Sequence, residues 1–238
     1  MVSALTVVKS EGPGLVPFFK TTCIYFVLWL PSGSWASAIV KVLPILCLSA
    51  FVAARGTAYR PSAKYSRRVL AGLVFSAAGD AFLVWQDDGF FEHGLVMFAI
   101  AHVFYIAAFG LTPPALPIAA ITLSFLLISL VIILPSIPSL ELAIAVAIYS
   151  LLLGLMAWRA TVLAILEAGP AGIPWPRLCA VVGAILFLLS DLSLAVNRFV
   201  VTLPLARALI MISYYGAQLC IALSARGGER REIKPKEQ

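Results

Sequence analysis

Two aspartates stand where a carboxylate is costly. Asp80 sits inside Ser76-Ala77-Ala78-Gly79-Asp80-Ala81-Phe82-Leu83, and Asp191 inside Leu189-Ser190-Asp191-Leu192-Ser193-Leu194-Ala195. Both stretches belong to apolar runs long enough to cross a bilayer. An ionisable side chain at that depth must face other helices or a wet cavity, and it marks a functional site by default. Two carboxylates removed from water and close together hold their protons unequally. One can donate a proton while the other stays charged, which is the arrangement acid–base hydrolases use. The same pair also suits an ion-coupling site or a hydrogen bond between helices, and spacing alone leaves these three readings open.

Further polar residues fall on shared helical faces. His102 and Tyr105 lie at i and i+3, and Arg207, Met211, Tyr214 and Gln218 at i, i+4, i+7 and i+11, with Tyr215 on the neighbouring face. A span that is apolar elsewhere turns such a stripe inward. Lys41, followed by Pro44, lies inside an apolar run, where a lysine snorkels or binds an anion such as a lipid phosphate. Arg198 follows Asp191 by seven residues. If the helix persists, it stands two turns up the same face, about 10 Å away. Gly72, Ser76 and Asp80 make a small-residue stripe that lets a neighbouring backbone approach.

Other chemistries find little support. His93 and His102 are the only histidines, and no His-Glu-x-x-His or Cys-x-x-Cys occurs, so no metal is expected. Ser76, Ser190 and Ser193 have no obvious base for a serine triad. There is no Gly-rich phosphate loop. Cys23, Cys47, Cys179 and Cys220 are widely spaced in apolar runs and read as buried small apolar residues.

The elements that must position these residues follow from composition. The chain has 238 residues, 62% hydrophobic and 12% charged. That is too little polar surface for a soluble domain, where about 25% of residues are charged. The expected fold class is an all-α polytopic membrane protein, because a spanning helix needs roughly 17–25 mostly apolar residues. About eight such spans fit: Leu15–Leu30, Trp35–Ala53, Val69–Trp85, Phe91–Leu111, Leu116–Leu134, Leu140–Arg159, Leu178–Val196 and Leu203–Ala225. They form a single helical membrane domain over residues 1–225, followed by a basic tail over 226–238. No removable signal peptide is evident at the N-terminus.

The net charge of +6 does not point to nucleic acid, because the basic residues cluster in loops and tail. Arg55, Arg60, Lys64, Arg67 and Arg68 share a side with Arg159, Arg177 and the tail, which the positive-inside rule makes cytosolic, together with both termini. Asp87, Asp88, Glu92 and Glu141 lie opposite. Arg198 and Arg207 also lie there, against the rule, so each needs another reason. Spans three and seven then run in parallel, and both aspartates fall toward the non-cytosolic face. An offset of 111 residues, from 80 to 191, sets Gly79-Asp80 over Ser190-Asp191 and Leu83 over Leu194. It suggests two parallel four-helix repeats, with the site at their interface.

Several motifs together resemble the YhhN-type transmembrane family, whose animal members are lysoplasmalogenases. They are Lys41-x-x-Pro44, Gly79-Asp80-x-x-Leu83, Phe91-x-x-Gly94, His102-x-x-Tyr105, Ser190-Asp191-x-x-Leu194-Ala195 with Asn197-Arg198-Phe199, and Tyr214-Tyr215-x-x-Gln218. The likeness runs in order from Thr6 to the end of span eight. It implies hydrolysis of the vinyl ether of choline or ethanolamine lysoplasmalogens, giving a fatty aldehyde and glycerophosphocholine or glycerophosphoethanolamine. It also implies an endoplasmic-reticulum membrane location, no metal or other cofactor, and Asp80 and Asp191 as catalytic residues. Lys41, Arg198 or Arg207 would meet the head-group phosphate. His102, Tyr105, Asn197, Tyr214, Tyr215 and Gln218 would complete the surroundings. The implied partners are the lysolipid, water and membrane lipids.

The implied chemistry suits the residues. Protonating the β-carbon of a vinyl ether leaves an oxocarbenium ion, which water attacks to form a hemiacetal. An acid, a negative charge for the cation and a base for the water are needed, much as glycosidases use two carboxylates for a similar cation. A proton-coupled transporter is the leading rival. An intramembrane aspartyl protease fits less well, because Ala78-Gly79 and Leu189-Ser190 precede the acids in place of that family's Gly-x-Gly-Asp and Tyr-Asp. A scaffold whose aspartates only join helices is the third. Asp80→Asn or Asp191→Asn is expected to slow vinyl-ether hydrolysis at least about 10²-fold. Purified variants that keep near-native turnover would refute the acid–base reading.

Overall fold

A computed structural model describes residues 4–56, 63–170 and 172–225. Arg60 and the basic tail over 226–238 lie outside the described residues. Eight α-helices follow in order: α1 (Ala4–Leu28), α2 (Trp35–Gly56), α3 (Ala63–Leu83), α4 (Phe91–Phe109), α5 (Leu116–Ile133), α6 (Leu140–Leu166), α7 (Trp175–Ala195) and α8 (Ala206–Ser224). Among the described residues no strand forms. Six of the helices, all but α1 and α3, are long and apolar enough to cross a membrane. The two that fall short carry more charge. Helix α3 holds Lys64, Arg67 and Arg68 in its first turns and Asp80 near its end, and α1 holds Lys9, Glu11 and Lys20.

The helix ends differ from the expected spans where a breaker was overvalued. Helix α7 starts at Trp175 rather than Leu178, because Pro176 lies in the first turn, where a missing N–H costs nothing. Helix α6 runs on to Leu166, past Arg159. Arg159 is buried, and its guanidinium binds the carbonyls of Gly110 at 2.5 Å, Pro113 at 2.6 Å and Thr112 at 3.2 Å. It therefore caps the end of α4 rather than marking a solvated border. Arg177, at the foot of α7, pairs with Glu167 at 2.8 Å. The cysteines are also less uniform than expected: only Cys179 is buried, and Cys23 is exposed.

The most intimate packing joins α3 to α4 and α7 to α8, the pairs that correspond under the 111-residue offset. Glycine permits both. A Cβ on Gly183 would stand 2.9 Å from the Ala217 carbonyl oxygen of α8. On α3 the small-residue stripe admits a ring instead of a backbone: a Cβ on Gly72 would lie 2.2 Å from Cε1 of Tyr105. Tyr105 is fully buried in that notch and donates to Gln218 Oε1 at 2.8 Å, with Ser76 Oγ 3.4 Å away. The stripe thus ties α3, α4 and α8 together beneath Asp80. Gly72→Ala is expected to destabilise the protein by about 1–3 kcal/mol through overpacking, read as a lowered unfolding temperature in detergent. An unchanged value would mean that the ring has room to move.

Candidate active site

A cavity of about 310 Å3 opens among the helices, and both Asp80 and Asp191 line it. This volume is at the low end for ligand pockets, which span about 300–1,000 Å3. The cavity lies in the half of the bundle that holds the α1–α2, α3–α4 and α7–α8 connections, since Ser32, Gln86 and Asn197 line it. Its lining is mixed: Lys41, Ser37, Gln86 and Arg207 contribute polar groups, and Phe125, Leu126 and Ile133 of α5 with Val146 and Leu153 of α6 contribute apolar ones.

The two carboxyls are held differently. Asp80 is 2% exposed, its Oδ1 lies 3.5 Å from Lys41 Nζ, and its Oδ2 accepts from the Tyr214 hydroxyl at 2.5 Å. Asp191 is half-buried, and its Oδ2 accepts from the Tyr149 hydroxyl. The Tyr149 oxygen in turn lies 3.1 Å from His102 Nε2. A carboxyl in hydrocarbon needs such donors, because an unpaired buried charge costs far more than a hydrogen-bonded one. Helices α2 and α8 therefore serve Asp80, and α6 and α4 serve Asp191.

The remaining expected residues separate into groups. Arg207 lines the cavity, lies over the Trp29 ring at 4.4 Å and donates to the Tyr25 hydroxyl at 3.1 Å. Asn197 also lines it, and its Oδ1 accepts from the Leu203 amide at 2.9 Å, which fixes the α7–α8 connection. Tyr215 donates to the Lys41 carbonyl at 2.8 Å and so joins α8 to α2. Tyr105, Tyr215, Gln218 and His102 do not line the cavity; they buttress it.

Two positions differ from expectation. Lys41, expected to snorkel or to bind an anion such as a lipid phosphate, lines the cavity, and the anion its amine faces is the Asp80 carboxylate. Arg198 does not stand above Asp191. The α-helix ends at Ala195 and continues as a π turn over Val196–Val200, whose wider winding rotates the side chain away. Arg198 lies over the Phe91 ring at 4.2 Å and 3.5 Å from Asp87 Oδ1, tying the α3–α4 connection to the end of α7. Both exceptions to the positive-inside pattern thus have local reasons.

Sequence reasoning missed Tyr149 and Tyr25. Tyr149 stands beside Ser150 in an otherwise apolar stretch of α6, and that isolated polar pair was the available signal. Tyr25 lies in an aromatic cluster with Phe26 and Trp29 that reads as core until Arg207 is seen against it.

Together these features define a polytopic helical membrane protein with a pair of acids facing one hollow of mixed polar and apolar lining. The chain belongs to the YhhN family, whose model matches residues 36–225. Human lysoplasmalogenase TMEM86A is 48% identical over 227 residues, covering 94% of this chain and 93% of the relative. Its Bos taurus counterpart is 47% identical with the same coverage, and lysoplasmalogenase TMEM86B of Sus scrofa is 40% identical over 94% of this chain and 90% of its own. No solved structure matches the chain.

The Lys41–Asp80 pair is the most exacting contact in this site. Lys41→Met leaves a buried carboxylate without its cation and is expected to cost about 3–5 kcal/mol. Adding Asp80→Asn removes the orphaned charge, so most of the loss should return in the double variant. Thermal unfolding of the two variants in detergent checks this, and additive losses would show that the pair is not coupled.

Proposed function

We propose that this protein is a lysoplasmalogenase, an ether hydrolase acting on the vinyl ether of choline or ethanolamine lysoplasmalogens. The observation that carries this reading is that Asp80 and Asp191, from α3 and α7, line one cavity, each with its own donor set. The high identity to named lysoplasmalogenases over nearly the whole chain supports the substrate class.

The chemistry follows from the substrate. Protonation of the alkenyl β-carbon by one carboxylic acid converts the vinyl ether to an oxocarbenium ion. The second carboxylate balances the positive charge in a site of low dielectric, where such a field acts strongly. Water adds to the cation, and the hemiacetal breaks down to fatty aldehyde and glycerophosphocholine or glycerophosphoethanolamine. Arg207 is the cation on the cavity wall free of a carboxylate partner among the described residues, and it is suited to the head-group phosphate. The apolar wall of α5 and α6 suits the alkenyl chain. Most of α5's surface is exposed, and it packs chiefly on α6. Helix α5 thus forms the wall between the cavity and the surrounding lipid, and entry of a single-chain lipid past it suits this reading.

Within this reading, the protein is one helical membrane domain over residues 1–225 with a basic cytosolic tail over 226–238, resident in the endoplasmic-reticulum membrane with both termini in the cytosol. The decisive experiment is incubation of the purified protein in detergent with a pure alkenyl-glycerophosphocholine. Stoichiometric fatty aldehyde and glycerophosphocholine are expected. Binding without aldehyde release would favour a carrier instead.

A further inference from the structure

We propose that Asp191 is the acid that protonates the vinyl ether, and that Asp80, clamped by Lys41 and Tyr214, is the fixed carboxylate that balances the cation. The inference rests on the hydrolase reading and assigns the roles within it.

The oxygen atoms decide. Asp80 has a group of opposite polarity at each oxygen, the Lys41 ammonium in an ion pair 3.5 Å from Oδ1 and the Tyr214 hydroxyl donating to Oδ2 at 2.5 Å. A carboxyl that accepts a hydrogen bond on one oxygen and faces a cation at the other is held as the carboxylate. Its 2% exposure leaves it little reach toward a carbon atom of the substrate. Asp191 is the opposite case. Only its Oδ2 has a partner among the described residues, no described basic side chain forms an ion pair with it, and it is half-buried on the cavity wall. Among apolar helices and without a cation, a carboxyl is cheaper neutral than charged. With Oδ2 accepting from Tyr149, the proton belongs on Oδ1.

His102 fixes this polarity. A tyrosine hydroxyl has one hydrogen, and Tyr149 gives it to Asp191. The 3.1 Å contact between His102 Nε2 and the Tyr149 oxygen must then be a donation from Nε2–H. Nδ1 is left as the bare nitrogen, and no donor reaches it among the described residues. His102 and Tyr149 are thus positioning residues that hold Oδ2 in place.

In the reaction, the Asp191 Oδ1–H bond breaks as the alkenyl π electrons form a C–H bond at the β-carbon. An ether-oxygen lone pair completes the oxocarbenium ion beside Asp80. Water adds to the α-carbon, the one bonded to the ether oxygen, and passes a proton to Asp191, now a carboxylate. The hemiacetal moves its hydroxyl proton to the glycerol oxygen as the C–O bond breaks. Both aspartates end as they began.

The titratable and charged groups around the pair are Lys41, with Arg207 beyond it, and Tyr25, Tyr105, Tyr214 and Tyr215 near Asp80, and Tyr149, His102 and Asp80 itself near Asp191. Infrared spectroscopy of the purified full chain at neutral pH reads the proton without turnover. A protonated-carboxyl C=O band is expected in the wild type, lost in Asp191→Asn and kept in Asp80→Asn. If Asp80→Asn does not fold, Lys41→Met with Asp80→Asn removes both charges and takes its place. In the aldehyde assay, the residual rate of Asp191→Asn should rise about tenfold per pH unit as pH falls, because hydronium then supplies the proton. Tyr149→Phe should lower kcat at least about tenfold with little change in KM. A band lost in Asp80→Asn instead, or absent from the wild type, overturns the assignment of roles, and the hydrolase reading stands if the wild type still releases aldehyde. A wild type that shows the band yet releases no aldehyde overturns the hydrolase reading, and the acid role with it.

Discussion

The structure depends on one constraint: a carboxyl that leaves water for hydrocarbon must bring its donors with it. Asp80 and Asp191 meet this in different ways, one with a cation and a phenol, the other with a phenol backed by an imidazole. Much of the surrounding packing follows from those choices. Gly72 makes room for Tyr105, Tyr105 holds Gln218, and Tyr215 binds the backbone of Lys41, so that α2, α3, α4 and α8 keep the donors aimed. Little of this network touches the cavity, yet its geometry determines where a substrate would meet the acids.

The donors come in a crossed pattern. Each aspartate receives one partner from the helix just before it, Lys41 of α2 for Asp80 and Tyr149 of α6 for Asp191. Each also draws on the last helix of the opposite half, Tyr214 of α8 for Asp80 and His102 of α4, through Tyr149, for Asp191. The pattern respects the 111-residue offset in helix order while using different side chains. Two similar frames thereby give two carboxyls unlike environments, which acid–base chemistry requires.

Much of this was legible in the sequence. The helices, the inward stripe Arg207, Met211 and Tyr214, and the two acids followed from hydropathy and spacing. Three things did not. The partner of Lys41 was hidden because a lysine in an apolar run has several uses, and only the placement of α2 against α3 selects one. Arg198 was misplaced because nothing in Val196–Val200 announces a π turn. Tyr149 was overlooked because a tyrosine in a long apolar helix is ordinary until its hydroxyl is seen at a carboxylate. All three depend on how helices rotate against one another, which periodicity within a single helix does not encode.

The order of partners along the chain bears on biogenesis. The Tyr214 hydroxyl that completes Asp80 lies 134 positions later, whereas Tyr149 precedes Asp191 by 42. Lys41 stands on the helix immediately ahead of Asp80. As the nascent chain leaves the ribosome, each acid thus reaches the insertion machinery just behind a donor able to escort it. The ammonium–carboxylate couple enters as a helical hairpin with its charges cancelled. Tyr214 arrives last and closes a site already tolerable to the lipid.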